Sequence, residues 1–246
     1  MPAPIPRPLT LPDISQALRD AGAVLARTPL VSTAFTLVFA CAGAVLAIVL
    51  WRLGLTLMLL PLASGFMLIG PAFLGGFFRI RHALRTRGEA GFGDIVAGLF
   101  STSAELWALS LILAFLFFIW ITDAGVLYSF TVGGDVADWL ESSAEVGGIQ
   151  HFLFWGSLMG AVLATASYVI SVFSVPLLLE RRASLVAAVI ASVHAVRIAP
   201  VACLVWGALL AATLIPSALF PPLLLLTLPL MSYASEGIYR RVFPAG

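Results

Sequence analysis

The chain has 246 residues, of which 61% are apolar and only 10% charged, and its formal net charge is +1. Mean hydropathy is +1.08, whereas soluble domains carry roughly 25% charged residues. These values exclude an ordinary water-soluble fold, call for surrounding lipid, and give no electrostatic case for nucleic-acid binding.

Residues 1–9 are proline-rich (Pro2, Pro4, Pro6, Pro8) and read as an extended tail ahead of a single polytopic membrane domain, 10–246. Met1–Arg27 shows no apolar core before a small-residue cleavage site, so the first span is expected to drive insertion. Thr10 reads as a helix N-cap, with Pro12 in the first turn and Asp13 three residues on. Leu11, Ile14, Leu18, Ala21 and Leu25 then recur at helical spacing opposite Asp13, Gln16, Asp20 and Arg27, which predicts an amphipathic helix along the membrane interface.

Apolar spans follow at Leu30–Trp51 and Leu53–Phe78, with only Arg52 between them, as in a tight helical hairpin. An arginine-rich loop is expected next, with Arg79, Arg81, His82, Arg85 and Arg87. A second interfacial stretch covers Gly91–Thr102, and a third span covers Ala104–Ile121. An acidic segment without basic residues carries Asp123, Asp135, Asp138, Glu141 and Glu145. The fourth span, Phe152–Leu179, ends at Glu180-Arg181-Arg182, and Ala183–Arg197 reads as a third interfacial stretch. The last two spans, Val201–Leu214 and Ser217–Met231, are short, with Pro216 and Pro221-Pro222 as breaks.

The expected fold is therefore all-α, with six transmembrane helices as three hairpins and cytoplasmic amphipathic helices. All 13 basic residues are arginine. With the N-terminus inside, only Arg52 faces out, so the positive-inside rule places both termini in the cytoplasm. Arginine without lysine, together with the Ala, Leu and Val bias, suggests a GC-rich bacterial gene and hence a bacterial inner membrane. The chain also reads as three units, 10–87, 91–182 and 183–242, each an interfacial helix followed by two spans.

Chemistry is sparse. His82, His151 and His194 are placed apart, Cys41 and Cys203 lie at different depths, and no CxxC, HExxH, GxGxxG or Walker sequence occurs. No cofactor, metal site or catalytic residue is expected, and the chain is read as a non-enzyme. Arg79, Arg81, Arg85 and Arg87 are the candidates for contact with anionic lipid. Glu105 and Glu236 are functional candidates as charged residues at a span's end, but Glu105 lies where it is wet and suits a helix N-terminus, and a surface ion pair with Arg240 explains Glu236 equally well. Gly156 and Gly160 form a GxxxG, and with Gly65, Gly70, Pro71, Ser174 and Pro176 they are the expected helix-packing positions.

Several of these segments resemble the bacterial integral membrane family designated domain of unknown function 2189. They include Thr10-Leu11-Pro12-Asp13-Ile14, Gly65-Phe66 with Gly70-Pro71, and Gly88-Glu89. Trp120, Ser174, Pro176, Glu180-Arg181, Pro200, Pro229 and Tyr239-Arg240 continue the likeness. The resemblance implies a polytopic membrane protein and brings no established activity. Where the family often shows two histidines near the C-terminus, this chain has Tyr233 and Gly237; it also has Arg79 for an acid and Ala199 for an asparagine. The histidine placement does not fit the oxidase subunit I label given to some members. The leading expectation is an accessory or assembly subunit of a larger membrane complex, such as a respiratory one; the partners expected are the lipid bilayer and either such a complex or further copies in a homo-oligomer. The alternative is a small transporter, channel or lipid-handling protein.

Overall fold

A computed structural model describes residues 4–100, 103–131 and 146–244, with side chains described except at 64–74, 97–100 and 146–147. Ten α-helices occur among the described residues. They are α1 (Leu11–Arg27), α2 (Pro29–Arg52), α3 (Leu59–Arg87), α4 (Phe92–Phe100), α5 (Ala104–Thr131), α6 (Val146–Ser171), α7 (Ser174–Leu179), α8 (Leu185–Ile198), α9 (Pro200–Leu219) and α10 (Pro221–Val242). The all-helical expectation holds. Four segments are long and apolar enough to cross a membrane: Pro29–Arg52, Ala104–Thr131, Gly148–Leu179 and Pro200–Leu219.

Local chemistry explains most helix starts. The Thr10 N–H donates to Asp13 Oδ2 at 3.0 Å, which closes a capping box on α1. Pro29 and Pro200 each occupy the first turn of a long helix, where the missing N–H costs no hydrogen bond. Asp94 accepts from the Gly91 N–H at 2.9 Å and so caps α4. Ser103 Oγ accepts from the Leu106 N–H at 3.2 Å at the start of α5.

Four boundaries differ from the sequence reading. Residues 79–87 are not a loop; they form the last turns of α3, where arginine is a good helix former and offsets the negative helix end. The helix stops only at Gly88, whose φ of 78° is accessible to glycine at little cost. The α2–α3 turn is wider than one arginine, running through Gly54 (φ 70°) and a 3-10 turn at Thr56–Met58. Leucines fill that turn, so hydropathy alone hides it. Helix α5 continues past Ile121 to Thr131 and carries Asp123 on its last turns. Helix α9 runs through Pro216, and the chain turns at Phe220 instead. The acidic residues Asp135, Asp138, Glu141 and Glu145 lie outside the described residues.

Sequence neighbours are not always packing partners. Helix α2 touches α3 little and packs chiefly on α10, which also carries α1 along its flank. Helix α3 is the hub and packs on α4, α5, α9, α6 and α10. Ile14, Ala17 and Ala21 of α1 are buried, whereas Leu11 is exposed. Arg241 pairs with Asp20 at 3.1 Å and Asp13 at 3.7 Å, and the Arg7 N–H donates to the Val242 carbonyl at 2.8 Å. These contacts fasten α1 to the end of α10. Around the bundle, Val38, Val45, Leu111, Phe115, Phe118, Phe154, Val162 and Val201 face outward, as an apolar solvent requires.

The fourth span is broken at Val172–Phe173, between α6 and α7, three residues before Pro176. Ser192 of α8 fills the break: its hydroxyl donates to the Val169 carbonyl at 2.7 Å and accepts from the Phe173 N–H at 3.3 Å. Ser192 is fully buried, so no water replaces it. Ser192→Ala is expected to cost about 1–3 kcal/mol, the penalty for leaving two buried backbone groups unpaired. A melting curve in detergent measures it, and a shift no larger than that of Ser157→Ala, on an exposed face, would rule the role out.

Candidate functional site

Arginines far apart in sequence meet at one end of the bundle around the carboxylate of Glu236. Glu236 lies on α10 and is fully buried. Arg240, one turn on, donates Nε to Glu236 Oε1 at 2.8 Å. From α3, Arg81 Nε stands 3.6 Å from Glu236 Oε2 and Arg85 Nη1 stands 3.8 Å from Oε1. Arg81 is 5% exposed and also donates Nη1 to the Tyr233 carbonyl at 2.6 Å. Glu236 is thus no surface partner of Arg240, as its sequence spacing suggested; it is the buried tie between α10 and α3. Burial pushes its carboxyl above the usual carboxylate range, against the opposing pull of Arg81, Arg240 and Arg85. Burial likewise lowers the Arg81 guanidinium, and Glu236 opposes that.

A second layer extends the cluster to the α7–α8 turn. Arg240 Nη2 pairs with Glu180 Oε1 at 2.9 Å, and Tyr239 donates its hydroxyl to Glu180 Oε2 at 2.8 Å. Arg182 donates to the Tyr239 hydroxyl at 3.1 Å and to the carbonyls of Phe243 and Pro244 at 2.9 Å each. Burial and the Glu180 charge push the Tyr239 hydroxyl up, so it stays a proton donor. Beside this layer opens a cleft of about 360 Å³ lined by Gly75, Phe78, Arg79, His82, Leu179, Glu180, Arg182 and Arg240.

A larger opening lies elsewhere. Helices α6 and α9 both rest on α3 and leave a lateral groove of about 420 Å³ between them. Its walls are mostly small: Gly156, Gly160, Ala161 and Ala164 from α6, and Gly207, Ala208 and Ala211 from α9. Leu60, Pro61 and Trp120 also line it. Tyr168 crosses from α6 to α9 and donates to the Cys203 carbonyl at 2.6 Å.

The expected site residues thus take different positions. Of the four arginines, Arg81 is turned inward, Arg85 is half-exposed beside Glu236, Arg87 pairs with Asp94, and Arg79 lines the cleft. Gly156 and Gly160 face α5: a Cβ at Gly160 would stand 2.8 Å from the Trp120 ring, and one at Gly156 3.8 Å from Leu127. Ser174 and Pro176 are buried. Gly65, Gly70 and Pro71 sit in α3 where side-chain surroundings fall outside the described residues. Glu105 is exposed, Cys41 and Cys203 are unpaired thiols, and His82, His151 and His194 lie exposed on three different helices. Among the described residues no three His, Cys, Asp or Glu side chains gather as a metal site would need.

The sequence reading missed Glu180, Arg182 and Tyr239 as one unit, and no local pattern marks it. Gly76 and Gly207 were missed as well. A Cβ at Gly76 would stand 2.6 Å from the Phe35 ring, and one at Gly207 3.3 Å from the Tyr168 ring.

Residues 59–180 match the family described as "Predicted integral membrane protein (DUF2189)". Over that segment the chain belongs to this family. The DUF2189 segment begins with the first residue of α3 and ends at Glu180, so it contributes Arg79, Arg81, Arg85 and Glu180 to the cluster. Glu236, Tyr239 and Arg240, together with all of α1 and α2, lie outside it. No curated protein and no solved structure matches the chain significantly. The protein is an integral, multi-pass membrane protein with four candidate spans.

Proposed function

We propose that this protein is a non-catalytic accessory or assembly subunit of a larger membrane complex, possessing six crossings in a bacterial inner membrane with both termini cytoplasmic. The lateral groove between α6 and α9 carries this reading. Glycine and alanine walls let a foreign helix approach the backbone closely, which is how helices associate where lipid removes the hydrophobic drive.

In this topology α3 and α10 are the additional crossings, and their arginine-bearing ends are cytoplasmic. Support comes from Arg81, Arg85, Arg182 and Arg240, which gather at one end of the bundle. Helices α1, α4 and α8 then serve as amphipathic elements at the cytoplasmic interface. The helix order, one shorter followed by two longer segments, also suits three related units at 10–87, 91–182 and 183–242.

Native mass spectrometry of gently extracted protein tests the proposal. Stoichiometric partner subunits, lost in Ala208→Leu while the melting temperature holds, are the expected result. A lone monomer under every mild extraction would overturn it. A second reading, a lipid-handling or small transport protein, draws on the same groove and on the α6–α7 break, since broken helices often flank membrane binding sites. Copurification of one defined lipid without a protein partner would favour that reading.

A further inference from the structure

We propose that the cleft between α3, the α7–α8 turn and α10 is a binding site for a phosphate-bearing anion. This site is independent of the lateral groove. Its lining sets three arginines, Arg79, Arg182 and Arg240, against one glutamate, Glu180, with His82 at the rim. A guanidinium has five N–H donors in a fixed fork that matches phosphate oxygens. The internal contacts of Arg240 use Nε and Nη2, so its fork is held from behind by Glu236 and Glu180. Arg182 is held chiefly by the Tyr239 hydroxyl and two backbone carbonyls, which are neutral acceptors; the carboxylate it pairs with among the described residues, Glu180, is 3.8 Å away. Its charge is fixed in place and poorly neutralised.

The surroundings deepen the excess. Arg81 and Arg85 stand behind Arg240 and share the same buried Glu236. Four arginines, Arg81, Arg85, Arg182 and Arg240, therefore share two carboxylates, Glu236 and Glu180, at the edge of an apolar bundle, where a cationic surplus attracts an anion strongly. At about 360 Å³ the cleft is within the roughly 300–1,000 Å³ range of small-molecule sites. Phe78 and Leu179 form its apolar walls. Two sources supply the same chemistry: the headgroup of an anionic phospholipid and a soluble phosphate.

The test uses the full chain in nanodiscs. Bound lipid is read by native mass spectrometry after exchange between phosphatidylglycerol and phosphatidylcholine, and inorganic phosphate is titrated by thermal shift. Retention of phosphatidylglycerol alone assigns a headgroup site; a saturable response to phosphate assigns a soluble ligand. In either case Arg79→Gln is expected to weaken binding about tenfold, on the order of one charge-assisted contact. Glu180→Gln is expected to strengthen it, an effect that a purely structural role for Glu180 would not give. Arg87→Gln removes a like charge outside the cleft and serves as the reference. Equal weakening by Arg79→Gln and Arg87→Gln, or no binding of either probe, would overturn the proposal.

Discussion

Glu236→Leu is expected to destabilise the protein by about 3–5 kcal/mol, because it strands the Arg81 guanidinium in a buried site without a counter-charge. Glu236 is fully buried and Arg81 is 5% exposed, so water cannot replace the lost partner. Arg85 and Arg240 are partly exposed and can turn outward; Arg81 is tied to the Tyr233 carbonyl and cannot do so easily. The double variant Arg81→Met with Glu236→Leu is expected to recover most of the loss, since a buried ion pair is often matched by apolar residues of similar size. Unfolding is measurable by thiol labelling: Cys203 is buried and Cys41 exposed, so Cys203 reactivity reports opening of the core. If the single variant protected Cys203 as well as the parent does, the cluster would not be what holds α10 to α3.

The second large effect is expected at Gly160. An added Cβ would stand 2.8 Å from the Trp120 ring, and Trp120 is pinned by its own N–H to the Pro61 carbonyl at 3.0 Å. Gly160→Ala therefore forces either a ring shift or a separation of α5 from α6, at about 1–3 kcal/mol of overpacking. Gly156→Ala, four residues away, meets only Leu127 at 3.8 Å. There the gain in helix propensity, roughly 1 kcal/mol, leaves stability unchanged or improved. Melting curves of the two variants should move in opposite directions. A common shift would mean that the GxxxG acts as one uniform surface instead of a single close contact.

A smaller effect is expected from Tyr233→Phe. The Tyr233 hydroxyl lies 2.7 Å from Ser32 Oγ, which lies 3.1 Å from Thr28 Oγ1. This buried polar chain joins α10 to the α1–α2 bend. Removing the hydroxyl leaves Ser32 with fewer partners and is expected to cost about 1 kcal/mol, read from the same melting assay.

Features that depend on near neighbours in the chain were legible in the sequence. The Thr10–Asp13 capping box, the helix-starting Pro29 and Pro200, and the apolar spans all arise from residues within a few positions of each other. Long-range pairing was not legible. Arg240 offers Glu236 a partner one turn away, and no local pattern points to Arg81 on another helix. Hydropathy likewise says that α2 needs lipid, but not that it packs on α10 in preference to α3, since every apolar face suits every other. Arg79, Arg81, Arg85 and Arg87 looked alike as a cluster because charge alone carries no direction. Once residues 79–87 form a helix, the same arginines point to a carboxylate, a cleft and an exposed surface.

The packing of α2 on α10 bears on how the chain is made. Helix α2 leaves the ribosome about 170 residues before α10 begins, on the order of ten seconds at ordinary elongation rates. Throughout that interval Ser32, fully buried in the finished fold against the Tyr233 hydroxyl, has no α10 to pair with. The candidate span Pro29–Arg52 therefore waits for α10, and the insertion machinery has to hold a polar-notched helix in lipid meanwhile. Nascent chains stalled before Pro221 should accordingly be the preferred substrates of membrane proteases.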